Sequence, residues 1–143
     1  VDLSSSAPLL AKGRQTALSL ILSAAPDVLF ATRDESRALV GGKHEEQLLD
    51  LSPIAVIKRG RKGVVVLARD SRKRLRFEVA TRPIDAADTT GAGDAFDAGF
   101  LAGWIEARHK GLTFAAALRR GAVVGNRTAH RHLSSPPGEL VLG

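Results

Sequence analysis

Apolar residues recur along this chain with two periods, and the switching between them outlines an α/β protein. Between Leu9 and Ala24, the residues Leu10, Ala17, Leu18, Ile21 and Leu22 fall on or near one face of a helix, and Pro26-Asp27 ends it. Val28-Leu29-Phe30-Ala31 and Ile54-Ala55-Val56-Ile57 are short continuous apolar runs, expected as buried strands, and Val64-Val65-Val66-Leu67 adds a third. Leu75, Phe77 and Val79 alternate with Arg76, Glu78 and Ala80, the pattern of a half-exposed strand. Between the first two strands, Thr32 or Asp34 can cap a helix running through Ala38-Leu39-Val40 and closed by Gly41-Gly42, and Glu45 to Leu51 reads as a second, short helix. Gly93 to Arg108 predicts a long helix with Phe96, Phe100, Leu101 and Trp104 toward the core. Thr113 caps a last helix through Phe114, Leu118 and Val123, and the tail from Ser134 to Gly143 reads as a loop. The expected architecture is a layered α/β domain with a mostly parallel sheet and some antiparallel edge, without an internal repeat or a linker marking a second domain.

Composition narrows the picture only modestly. A chain of 143 residues can build one core, and 44% hydrophobic with 25% charged residues is ordinary for a soluble protein. No apolar run has the length of a membrane span. Ala17 to Ala25 follows Lys12, Gly13, Arg14 and Gln15, as the apolar part of a secretory leader would. Ser19, Ser23 and the lack of a cleavage context favour an amphipathic helix instead. The absence of cysteine excludes disulfide and Cys-zinc frameworks and fits a reducing, cytoplasmic location. Net charge is +6, concentrated in Lys58-Arg59-Gly60-Arg61-Lys62 and in Arg69 to Arg76. Five Phe, one Trp and no Tyr leave little for stacking on bases, so nucleic acid is a poor partner and the second cluster reads as a solvated hairpin. His44, His109, His130 and His132 follow no metal-site spacing, and the last two would not share a helix face.

The candidate chemistry lies in Asp88-Thr89-Thr90-Gly91-Ala92-Gly93-Asp94-Ala95-Phe96, just before the long apolar helix. Gly91-Ala92-Gly93 offers successive backbone N–H groups unscreened by bulky side chains, and the helix that follows adds the positive end of its dipole. Such a place can hold a phosphate or the charge that builds up while a phosphoryl group moves. Asp94, in the first helical turn, can accept a proton from an attacking hydroxyl; alone, it would read as an ordinary first-turn acid. No Gly-Lys-Ser/Thr closes a Walker A loop, and no third glycine completes a dinucleotide fingerprint.

Asp88 to Phe96, continued by Ala98-Gly99-Phe100-Leu101-Ala102-Gly103, resembles the signature near the C-terminus of ribokinase-like (PfkB-type) carbohydrate kinases. Val56-Ile57-Lys58-Arg59-Gly60 with Gly63 resembles that family's strand-turn beside the nucleotide. Asp27 to Glu35, ending in Gly41-Gly42, resembles its Asn-x-x-Glu segment, and Ala115 to Thr128 its closing helix beside the adenine pocket. The resemblance implies a three-layer αβα ribokinase-like fold and transfer of the γ-phosphoryl of ATP to a sugar or sugar-acid hydroxyl, assisted by Mg²⁺ and a monovalent cation. It makes Asp94 the general base and Gly91, Ala92 and Gly93 the anion hole. Lys58, Gly60, Gly63, Thr90 and Asn126 would border the nucleotide. Glu35 would act through water on the Mg²⁺–phosphate cluster, and Asp88 would shape the loop beside the monovalent cation. For Lys58 the residues equally allow a solvated turn, and for Glu35 a helix first-turn acid. The partners implied are ATP and a small sugar, with a homodimer in the full-length form and no membrane.

Two positions depart from the family pattern. Thr32 stands where the family has Asn, and a hydroxyl lacks an amide's reach. The closing helix has no Asn near Ala122; Asn126 follows one turn later. Val1-Asp2-Leu3 reads as the end of a strand. Against the length of family members, residues 1–143 are expected to be the C-terminal, nucleotide-binding part of a kinase domain, with the sugar-binding carboxylate and lid outside them and weak or no activity alone. A nucleoside or vitamin-precursor kinase of the same fold and a non-catalytic basic binding module stay open as alternatives.

Overall fold

The computed structural model describes residues 1–3 and 10–135. The Ser-rich turn after Leu3 and the tail beyond Ser135 lie outside the described residues. The chain divides into two compact units, Val1–Ala80 and Thr81–Gly143.

In the first unit, helix α1 (Arg14–Ala24) leads into strand β1 (Val28–Thr32). Gly13, at φ 95°, stands at the N-terminus of α1, so the helix begins later than the apolar period alone predicts. Ala17 and Ile21 are buried, whereas Leu22 is 53% exposed: the buried stripe is too narrow to include it. Helix α2 (Arg33–Val40) and a 3₁₀ helix (Glu45–Asp50) carry the chain to β2 (Ile54–Lys58), which pairs parallel to β1. Then β3 (Val64–Asp70) and β4 (Lys73–Val79) add on antiparallel, giving a mixed sheet in the order β1-β2-β3-β4. The antiparallel portion exceeds what the early alternation of helix and strand suggested. The reason is local: the three-residue Gly60–Lys62 turn is too short for a crossover and returns β3 beside β2. Asp2 adds a parallel bridge to Phe30.

Leu29, Ala31, Ala55, Ile57, Val65 and Leu67 form one face of the sheet, packed with Ala17, Ile21, Leu39, Val40, Leu48 and Leu49. Phe30, Val56 and Val66, on the opposite face, are also buried. Burial on both faces explains the unbroken apolar runs of β1 to β3. β4, with its exposed Arg and Lys side chains alternating with half-buried Leu75, Phe77 and Val79, is the edge.

The second unit is a helical hairpin, α3 (Ala92–His109) and α4 (Phe114–Ser134), with Thr113 Oγ1 capping the Ala116 N–H at 3.3 Å. The helices run antiparallel and meet on glycines. A Cβ on Gly99 would lie 2.4 Å from Thr128 Oγ1, and one on Gly125 would lie 2.8 Å from the Phe96 ring. Phe96 and Phe100 are buried on this seam, but Leu101 is 37% exposed, having turned off the face that Phe100 occupies. α4 runs beyond the segment ending at Thr128, so its C-terminal turns return beside the start of α3 and carry His130 and His132 with them.

Candidate functional site

The candidate residues fall into two groups, one in each unit. In the second unit they form a tight loop that opens a helix. Gly91 takes the left-handed conformation, φ 77° and ψ −6°, as the N-cap of α3. Its carbonyl accepts the Ala95 N–H at 2.9 Å, and the Ala92 N–H is used by Thr89 O at 3.2 Å. The N–H groups of Gly93 and Asp94 have no acceptor among the described residues. They therefore remain as the open donors of a helix start. The Asp94 carboxylate is exposed on this first turn.

The loop is held from both sides at Thr90. Asp88 Oδ1 accepts the Thr90 N–H at 2.8 Å, and His132 Nε2 lies 2.8 Å from Thr90 O. The Asp88 carboxyl is held below its ordinary value of 3.8, first by hydrogen bonds from the Thr90 hydroxyl and backbone N–H, with the nearby His132 adding to the effect. His132 is the residue that sequence reasoning missed. A test for metal-site spacing cannot find a ring that meets a carbonyl 42 positions away. The signal available was a helical period continued past Thr128. Asn126 sits half-buried along α4 in the same unit.

In the first unit, Lys58 ends β2, with Nζ 3.3 Å from Asp2 Oδ1 and 5.9 Å from the centre of the Phe30 ring. Arg59 pairs with Glu78 at 2.7 Å, and its Nε is buried without a hydrogen-bond partner among the described residues. The Arg59 hydrogen bonds, together with its charge, hold the Glu78 carboxyl below its ordinary value of 4.5. Gly60 opens the turn and Gly63 closes it at φ 80°. A Cβ on Gly63 would lie 2.1 Å from Val79 O. No other residue fits there.

Glu35 is buried at the start of α2, and its role there is visible. Its Oε2 accepts the Thr32 N–H at 2.7 Å while Thr32 Oγ1 accepts the Glu35 N–H at 3.3 Å. This is a capping box, and it gives Thr32 a use that does not need an amide. Among the described residues no three His, Cys, Asp or Glu side chains gather into a metal cage. Mg²⁺ is commonly held by one or two carboxylates with phosphate oxygens and water and needs no such cage; Glu35 itself is buried, with Oε2 engaged in the cap. The Arg-rich β3–β4 hairpin is stitched to acids: Arg69 to Asp50 at 3.5 Å, Arg74 to Glu46 at 3.6 Å and Arg76 to Glu78 at 3.2 Å.

A helix start with open N–H donors and a carboxylate on its first turn is a geometry that can hold an anion. The chain belongs to the pfkB family of carbohydrate kinases, which matches residues 1–138. It is 37% identical over 122 residues to the ATP-dependent ribose-1-phosphate kinase of Halopiger xanaduensis, covering 82% of this chain and 38% of that protein. Fructoselysine 6-kinase of Escherichia coli is 32% identical over 102 residues, which is 66% of this chain and 37% of the relative. Among solved structures, adenosine kinase from Sinorhizobium meliloti superposes with a TM-score of 0.73 at 28% identity, over 98% of this chain and 41% of that one. The fold is thus the ribokinase-like α/β fold, and the chain spans less than half the length of each of these relatives.

Proposed function

We propose that this chain carries the phosphoryl-transfer machinery of an ATP-dependent kinase acting on a sugar or sugar-acid hydroxyl. The observation that carries the reading is the start of α3, where open N–H groups of Gly93 and Asp94 stand beside an exposed Asp94 carboxylate. In this role Asp94 takes the proton as the acceptor hydroxyl attacks the γ-phosphorus, and the bond to the bridging oxygen of ADP breaks. Gly91, Ala92 and Gly93 shape the pocket for the charge on the moving phosphoryl group. The donors are already oriented, so no reorganisation is needed as that charge grows. In this reading Lys58, Gly60 and Gly63 are the nucleotide-side residues of the first unit, and Thr90 and Asn126 those of the second. Glu35 would act through water on Mg²⁺, which would supply charge neutralisation, and Asp88 would help shape the loop beside a monovalent cation.

The likeness to an adenosine kinase supports a second acceptor class, the hydroxyl of a nucleoside. Incubation with ATP labelled at the γ-phosphate and a panel of sugars, sugar phosphates and nucleosides separates the two. Binding of ATP, with at most weak label on one acceptor class, is the expected result for a chain that spans less than half the length of these relatives. A chain that binds no ATP in a calorimetric titration and labels nothing would overturn the reading.

A further inference from the structure

We propose that His132 is a positioning residue: by donating its Nε2–H to the Thr90 carbonyl, it fixes the turn from which the N–H groups of α3 point. The inference rests on the kinase reading above, and it adds a residue to that site. A carbonyl can only accept, so the 2.8 Å contact requires the imidazole proton on Nε2. The same ring lies against Gly91, where a Cβ would come within 3.0 Å of Nε2 and 3.3 Å of Cε1. Both backbone groups of Thr90 are therefore engaged, its N–H by Asp88 and its C=O by His132. The first is a local turn that the loop makes with itself. The second comes from the far helix, and it ties the loop to α4.

The consequence is directional. Gly91 follows Thr90 directly, and its positive φ sets where the Gly93 and Asp94 N–H groups point. Releasing the Thr90 carbonyl lets that peptide plane rotate, and an anion hole misplaced by even about 1 Å costs turnover far more than binding. His132 is exposed, and one exposed hydrogen bond contributes little to the stability of a 21-residue helix. Its value lies in aim rather than in folding.

Side-chain length provides the test, applied to the whole chain. The Gln side chain brings an N–H donor to the reach of His Nε2, whereas Asn stops near the position of Nδ1. His132→Gln should leave the ¹H–¹⁵N amide signals of Gly91 and Gly93 near their wild-type positions, and His132→Asn should displace them while the melting temperature stays unchanged. In turnover, His132→Asn should lower kcat by about tenfold or more with KM for ATP unchanged, and His132→Gln should recover most of the loss. A long-range ¹H–¹⁵N spectrum of the wild-type imidazole should place the proton on Nε2. A proton on Nδ1 alone, or Asn and Gln variants that behave alike, overturns the inference. If the wild-type chain neither binds ATP nor transfers a phosphoryl group, the kinase reading fails, and the tautomer and amide signals still decide whether His132 holds the loop.

Discussion

The two glycine-bounded turns of this protein make opposite use of similar material. Gly60–Gly63 sits in the more basic segment, and the two basic residues that lead into it are paired: Lys58 faces Asp2 at 3.3 Å and Arg59 faces Glu78 at 2.7 Å. The Gly91 turn carries no basic side chain of its own, and its N–H donors lie at the start of an 18-residue helix. A run of positive residues therefore points to an anion less well than a helix start with a left-handed glycine before it. The first turn is built to reverse a strand and close a sheet. The second is built to present N–H groups beside a carboxylate.

Substitutions at the two turns should separate these roles. The largest effect on stability is expected from Gly63→Ala, because the new methyl would meet the Val79 carbonyl at 2.1 Å in a backbone conformation that L residues avoid. A loss of about 4 kcal/mol in urea unfolding is the expected scale. A loss below about 1 kcal/mol would mean that β4 moves aside at little cost. Gly91→Ala should cost less stability, about 2 kcal/mol, since its methyl meets only the movable His132 ring at 3.0 Å. Its larger consequence should be a fall in turnover, which Gly63→Ala would show only through loss of fold.

Thr32→Ala comes next, at about 1 kcal/mol, by removing one arm of the capping box with Glu35. Thermal unfolding measures it, and a neutral result would free Glu35 for a role outside the cap. The smallest effect is a pH dependence at the first turn. Arg59 holds Glu78 below 4.5, so this pair stabilises the fold above that value and the contribution is lost as pH falls through the lowered one. Glu78→Gln should remove that part of the acid sensitivity. The Glu78 side chain is about half exposed, so the difference should be small and should shrink in high salt.

Much of this was legible before any coordinates. Short apolar runs located β1 to β3 because the sheet is buried on both faces, and alternation located β4 because only one of its faces is covered. Thr32 was legible as a cap because capping is local chemistry. Leu22 and Leu101 were assigned inward by period, but the period cannot tell the width of the stripe that a neighbouring element covers. The antiparallel return of β3 depended on a three-residue turn inside a basic run whose charge drew attention first. The helix seam was hidden as well: Gly99, Gly103, Gly121 and Gly125 look like weak helix positions until the partner helix is in place. His132 was hidden for the same reason, being a long-range contact made only when α4 folds back along α3.

In the proposed function, Asp94 is the residue on which phosphoryl transfer at the Gly91 loop depends, and Asp94→Asn tests that role in one measurement of phosphoryl transfer beside ATP binding. The substitution keeps the size of the side chain but removes the proton acceptor. The expected result is ATP affinity within about threefold of wild type and turnover lowered by about 10² to 10⁴. Turnover that survives the substitution would contradict the assignment of Asp94 as the base and, with it, the reading of the Gly91 loop as the site of phosphoryl transfer.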